Sequence, residues 1–229
     1  MKVAIIGLGR FGMALAKHLG PSSVQVIAID NRAALVNEIK DDVDIAVRLD
    51  STDEQALLSQ EIDKVDVCVI SIGENFEAAL LTTVIAKKIG VPEIICRAQT
   101  QFHAEIFSQI GADEVIQPES QAGEYIARKL ANPHLEDFIT LAEGYTLIEF
   151  QAPKAFRNKS LQQLALRKEY QVNLVAIKRP ITPSISEDGE EEAPQVKIIS
   201  VPKPGDVIQE NDILLVIGSD EALAKLPKE

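Results

Sequence analysis

The chain has 229 residues, 46% of them apolar, which suffices for a standard domain plus a smaller one that folds without disulfides or metals. Its formal net charge of −12 excludes a general nucleic-acid binder, which needs a basic face to neutralise phosphates. No apolar run reaches the roughly 18 residues of a membrane span, and the chain opens on a strand-like run with no room for a signal peptide, so a membrane role is expected to pass through a partner.

Val3-Ala4-Ile5-Ile6 reads as a buried strand running into Gly7-Leu8-Gly9-Arg10-Phe11-Gly12 and a helical pattern from Phe11 to Leu19. A second apolar run, Val24 to Ile29, ends in Asp30. Further strands are expected around Ile45 to Leu49, Val65 to Ile72, Glu93 to Ala98 and Glu114 to Gln117. Helices are expected between them at Arg32 to Lys40, Asp53 to Glu61, Phe76 to Ile89 and His103 to Ile110. Strands alternating with helices, several of them apolar throughout, predict a doubly wound parallel sheet of the Rossmann type. Cys68 and Cys96 lie inside such runs and are expected to pack in the core, which fits a reducing cytoplasm.

From Pro118 the pattern changes. Glu119 to Leu130 reads as a helix, Asn132-Pro133 breaks it, and a second short helix is expected through Phe138. Such a pair reads as a crossover that carries dimer contacts. The remainder predicts a smaller α+β domain: strand Thr146 to Gln151, helix Leu161 to Glu169, and strands Val172 to Lys178, Val196 to Val201 and Ile213 to Ile217. Ser160 and Gln163 have capping-box spacing. The polar, acidic stretch between Pro180 and Pro194 reads as a solvated loop. The expected division is residues 1–139 and 140–229.

The glycine pattern between a strand and a helix, followed by an acid at the next strand end, points to nucleotide binding. Gly7 permits the turn, Gly9 the approach of a pyrophosphate and Gly12 close helix packing, while Asp30 faces ribose hydroxyls. Arg10 opposes the positive end of its helix at a cost of about 0.3–1 kcal/mol, which a polyphosphate would reverse. Asn31-Arg32 follows Asp30, where the carboxylate argues for a free 2′-hydroxyl and Arg32 for a phosphate. Asp50, with Ser51 beside it, is placed to reach adenine or to cap the next helix. Ile72, Gly73, Glu74 and Asn75 follow the fourth strand and are expected to form a wall of the pocket, with Arg97 and Glu119 at the same sheet edge. Glu119 is a candidate either for its helix N-terminus or for a divalent cation bridging phosphates. His18, His103 and His134 show no metal-ligand spacing and read as surface residues. No nucleophile elbow, Walker lysine loop or zinc motif is present, so a regulatory sensor is expected rather than an enzyme. The alternative from another class is an NAD(H)-dependent oxidoreductase or redox sensor.

The glycine turn, Asp30, Leu49-Asp50-Ser51-Thr52 and Ile110-Gly111-Ala112-Asp113 before Pro118-Glu119 together resemble the RCK domain of potassium-transport regulators, the KtrA/TrkA type. Arg167-Lys168-Glu169-Tyr170, Asn173 to Ile177 and Pro204-Gly205-Asp206-Val207-Ile208 before Asp212 to Gly218 resemble its C-terminal subdomain. The resemblance implies a cytosolic homodimer assembling into a homo-octameric ring on a KtrB/TrkH-like membrane potassium-translocating subunit. It implies ATP or ADP, or NAD(H), in the Rossmann site, with Arg10 at the terminal phosphate, Asp30 at the ribose and Asp50 at the adenine side. Glu119 would help hold Mg2+ or Ca2+. Arg167 and Asn173 match positions used for cyclic di-AMP in some members.

Overall fold

The computed structural model describes residues 1–132, 134–181 and 195–227, which divide into two compact units, Met1–Gly123 and Glu124–Glu229. The elements of the first unit are β1 (Lys2–Ile6), α1 (Arg10–Leu19), β2 (Gln25–Asp30), α2 (Ala33–Ile39), β3 (Ile45–Arg48), α3 (Glu54–Ser59), β4 (Val67–Ile70), α4 (Phe76–Lys88), β5 (Glu93–Arg97), α5 (Gln101–Gln109) and β6 (Glu114–Ile116). The six strands pair in parallel in the order β3-β2-β1-β4-β5-β6. Alternation along β1 sends Ala4 and Ile6 into one core with Ile27, Ile29, Cys68, Ile70 and Phe107, and Val3 and Ile5 into a second with Val26, Ala28 and Ile39. Each fully buried isoleucine contributes about 1.5–3 kcal/mol, so a strand that feeds two cores has no polar position to spare. Burial pushes the Cys68 thiol up to about 12 and the Cys96 thiol up to about 11.

Three helices of this unit begin on side-chain caps. Asp53 accepts from the Gln55 and Ala56 N–H groups at α3, Asn75 from Ala78 N–H at α4, and Thr100 from His103 N–H at α5. Capping α3 is one of the two expectations for Asp50, beside reaching the adenine. Its carboxylate instead closes a turn on the Thr52 N–H and hydroxyl, and the cap falls to Asp53 because only that position precedes the first helical residue. His103 is half-buried and stacks on Phe76 at 4.0 Å between ring centroids, which corrects its reading as a surface residue.

The second unit takes in the latter part of α6 (Pro118–Ala131), then β7 (Leu135–Ala142), β8 (Tyr145–Gln151), α7 (Leu161–Leu164), α8 (Leu166–Glu169), β9 (Asn173–Ile181), β10 (Gln195–Ile199), β11 (Ile213–Ser219) and α9 (Asp220–Leu223). Its sheet is antiparallel in the order β10-β9-β11-β8-β7. Phe150, Phe156, Ile177, Ile208, Leu214 and Val216 form its core. The short helix expected through Phe138 is strand β7. It pairs with β8 across the two-residue turn Glu143-Gly144, where Gly144 takes φ +74°, and the hairpin overrides any local helical tendency. The single helix expected from Leu161 to Glu169 is α7 and α8, parted by Ala165 at φ +45°. Ser160 and Gln163 do form a reciprocal capping box. The stretch 182–194, read as a solvated loop, lies outside the described residues, as does Pro133 of the expected break.

Candidate functional site

The strand order reverses between β1 and β4, and a cavity of about 590 Å³ opens at the carboxyl ends of the strands there. It is lined by the glycine turn, Asp30 to Arg32, Leu49 to Ser51, Ser71 to Asn75, Arg97, Gln99 and Glu119.

The turn is held from both sides. Gly7 N–H donates to Ile29 O at 2.8 Å, Ser71 N–H donates to Ile6 O at 2.8 Å, and the Ser71 hydroxyl donates to Gly7 O. Gly7 takes φ +96°, the left-handed region that favours glycine. A Cβ on Gly12 would overlap the Gly7 carbonyl oxygen and Ser71 Oγ, so α1 sits on the turn as closely as its backbone allows. A Cβ on Gly9 would meet nothing within 4 Å, so the open space there belongs to the cavity side. Leu8 and Gly12 are buried behind the turn, whereas Gly7, Gly9, Arg10 and Phe11 line the cavity.

Helix α1 differs from α3, α4 and α5 at its start. Gly9 provides no side-chain cap, and the first turn holds no acidic residue. Its leading N–H groups and the positive dipole end therefore meet the cavity with Arg10 among them, an arrangement suited to an anion. Arg10 is exposed and has no ion-pair partner among the described residues.

Asp30, 6% exposed, works within the chain. Its Oδ2 accepts from Leu8 N–H at 2.7 Å, and its Oδ1 accepts from Arg32 N–H at 2.8 Å and Arg32 Nε at 3.2 Å. Arg32 thus leans on the acid through Nε, while its exposed terminal nitrogens have no hydrogen-bond partner among the described residues. Ser51 is buried with its hydroxyl bonded to Thr82 Oγ1, bracing the loop after β3 on α4. Asn75 has its side chain committed to the α4 cap.

Arg97 leaves the end of β5 and donates through Nη2 to Glu119, the second residue of α6. That hydrogen bond, helped by the Glu119 N–H and the Arg10 charge, holds the Glu119 carboxyl below the usual carboxylate range. Glu119 is the carboxylate the cavity offers beside Arg97, and a cation there would draw its remaining ligands from phosphate oxygens. Among the described residues no group of three His, Cys, Asp or Glu side chains forms an all-protein metal site, and one Glu119 oxygen is paired with Arg97. The Arg97–Glu119 pair left no local signal in the sequence, since its members lie 22 positions apart.

Elsewhere, Arg167 and Lys168 line a second cavity of about 460 Å³ with Leu166, Leu174, Pro202 and Pro204. Asn173 is exposed at the start of β9 and is not part of its lining. Among the described residues, no helix is long and apolar enough to cross a membrane.

The TrkA-N domain model matches residues 3–118. Over 225 residues, 98% of this chain and 95% of the other, the sequence is 36% identical to the Ktr system potassium uptake protein C of Bacillus subtilis (strain 168). It is 33% identical to the Ktr system potassium uptake protein A of Vibrio alginolyticus, covering 96% and 94%. In fold it is similar to a solved GsuK channel bound to NAD, with a TM-score of 0.54 and 23% identity, covering 97% of this chain and 37% of that one. With the glycine turn and strand-end acid inside the matched segment and full-length kin among potassium uptake proteins, the chain belongs to the TrkA-N (RCK) family and is related to the Ktr regulatory subunits.

Proposed function

We propose that this chain is a cytosolic, non-enzymatic regulatory subunit that senses an adenine nucleotide and gates a membrane potassium-translocating partner. The observation that carries the reading is the uncapped N-terminus of α1 with Arg10, opening on the cavity at the sheet's switch point in a chain related to Ktr potassium uptake proteins. Residues 1–123 serve as the nucleotide-binding part and residues 124–229 as the regulatory part, because the expected boundary at 139/140 would cut strand β7. Asp30 meets the ribose, Asp50 the adenine side and Arg10 the terminal phosphate. Helix α6 has no buried residue, and Ile126 and Leu130 are exposed on it, which supports dimer contacts through the crossover. Dimers then form an octameric ring.

ATP and ADP do work on the partner only through differential affinity. Shifting a two-state equilibrium from 1:99 to 99:1 needs about 5.5 kcal/mol, which the subunits of a ring share. Arg10→Ala is therefore expected to flatten the difference between ATP and ADP in potassium flux through the assembled complex. Flux that still separates the two nucleotides at the native ratio would refute the role of Arg10.

NAD(H) is the second reading for the same cavity, favoured by the GsuK structure that carries NAD. Calorimetric titration with ATP, ADP and NADH separates the two, because tight binding of NADH alone would make the cavity a redox site. The second cavity, with Arg167 and Lys168 on its wall, supports cyclic di-AMP as a further ligand of the C-terminal part. Loss of cyclic di-AMP binding in Arg167→Ala is the expected result.

A further inference from the structure

Helix α4 turns Ala79, Thr82, Thr83 and Ala86 into the core, the i, i+3, i+4, i+7 spacing of a buried face. Threonine is a poor helix former and a buried hydroxyl is costly unless hydrogen-bonded, so two fully buried threonines between these alanines call for a reason. Thr83 meets its need within the helix, donating to the Ala79 carbonyl at 2.7 Å. The Thr82 hydroxyl has one partner among the described residues, the Ser51 hydroxyl at 2.8 Å, 31 positions earlier in the chain. Ser51 is 7% exposed and lines the nucleotide cavity, whereas Thr82 is fully buried and does not.

Ser51 sits in the middle of a stiff loop. Asp50 Oδ1 accepts from the Thr52 N–H at 3.0 Å and the Thr52 hydroxyl at 2.7 Å, and the Asp53 N–H donates to Asp50 O at 3.2 Å. These bonds fix the loop's own shape, and the Ser51–Thr82 bond fixes where the loop stands against α4. Thr52 also holds the Asp50 carboxyl below the usual carboxylate range, and Asp50 Oδ2 has no partner among the described residues. A free carboxylate oxygen accepts and cannot donate, so it favours an amino group on a base edge and repels a carbonyl. Adenine carries an amino group where hypoxanthine carries an oxygen. That choice needs Asp50 held at the base, and a Ser51 hydroxyl deprived of Thr82 would turn to water in the cavity and carry the loop with it.

We propose that Thr82 is a positioning residue for adenine selection: without lining the cavity, it holds Ser51 and so keeps the Asp50 carboxylate at the base edge. The inference rests on the adenine-nucleotide reading above and concerns how that cavity selects its base. The test is calorimetric titration with ATP, its hypoxanthine analogue inosine triphosphate, and inorganic tripolyphosphate, all in the same excess of magnesium. It is run on the full chain and on Thr82→Val, Thr82→Ser, Ser51→Ala and the double variant Thr82→Val with Ser51→Ala. The native chain is expected to favour ATP over inosine triphosphate by about tenfold or more, as for one hydrogen bond to a charged group. Thr82→Val and Ser51→Ala are each expected to bring that ratio within about threefold and together to do no more than either alone, while Thr82→Ser keeps it. Tripolyphosphate reports the phosphate end only, and its affinity for Thr82→Val is expected to match that for the native chain. A native ratio in both Thr82→Val and Ser51→Ala, or effects that add in the double variant, overturns the proposal. Equal losses of ATP and tripolyphosphate affinity in Thr82→Val overturn it as well, since they mark a merely structural role. A native chain that binds the two triphosphates alike overturns it and leaves the nucleotide reading standing, whereas absence of ATP binding would refute that reading and the inference with it.

Discussion

At Asp30 and Gly12 single residues hold the cavity's geometry before any ligand enters. Asp30 orders the glycine turn through Leu8 N–H, and Gly12 lets α1 rest on Gly7 and Ser71. Gly12→Ala forces a Cβ into backbone and is expected to destabilise the chain by about 1–3 kcal/mol, the cost of overpacking, measured by urea denaturation with and without nucleotide. At Glu119 the pH dependence has a definite sign. A carboxyl whose folded pKa lies below its unfolded value adds stability above the unfolded value, and that stability is lost as pH falls through the folded one. Glu119 is largely exposed, so its share of the total is small, but its titration is a direct reporter of the pair. In Arg97→Met the Glu119 carboxyl is expected to titrate upward toward 4.5, followed by carbon-detected NMR; an unmoved titration would show that the Arg97 hydrogen bond is not its cause.

Among the elements, the starts of the helices divide into two kinds. Helices α3, α4 and α5 satisfy their leading N–H groups with Asp53, Asn75 and Thr100, while α1 leaves its own to the cavity. Asp53→Ala is expected to cost about 1 kcal/mol in thermal or chemical unfolding, and Asp50→Ala much less, because only Asp53 bonds helical N–H groups. Strand β7 shows why this scale was only partly legible. Its segment carries Phe138, Ile139 and Thr140, which suit a strand, but the decisive cue was Glu143-Gly144, a two-residue turn that sets β7 against β8.

For the molecule as a whole, the two compact units each have a core of their own, one around Ile6, Ile29 and Ile70 and the other around Phe150, Ile177 and Leu214. Calorimetric unfolding is therefore expected to show two transitions rather than one. A nucleotide at about 100 times its dissociation constant adds about 2.7 kcal/mol to the unit that holds it, so only the transition of residues 1–123 should rise. A single transition that rises as one would show that the units unfold cooperatively.

What the sequence determined by itself was the architecture of the first unit and the outline of its cavity. Apolar runs too uniform for a half-exposed strand, a glycine turn between strand and helix, and an acid at the next strand end are local patterns, and local sterics and periodicity enforce them. Gly7, Gly9, Arg10, Phe11, Asp30 to Arg32, Asp50, Ser51, Ile72 to Asn75, Arg97 and Glu119 line the cavity as expected, whereas Leu8 and Gly12 lie behind the turn and do not. Only the tertiary structure decided what their polar groups do: that Arg32 folds back on Asp30, that Ser51 braces α4, and that Arg97 holds Glu119. Those choices depend on which side chains from distant parts of the chain meet at one sheet edge, and spacing along the sequence carries no record of such meetings.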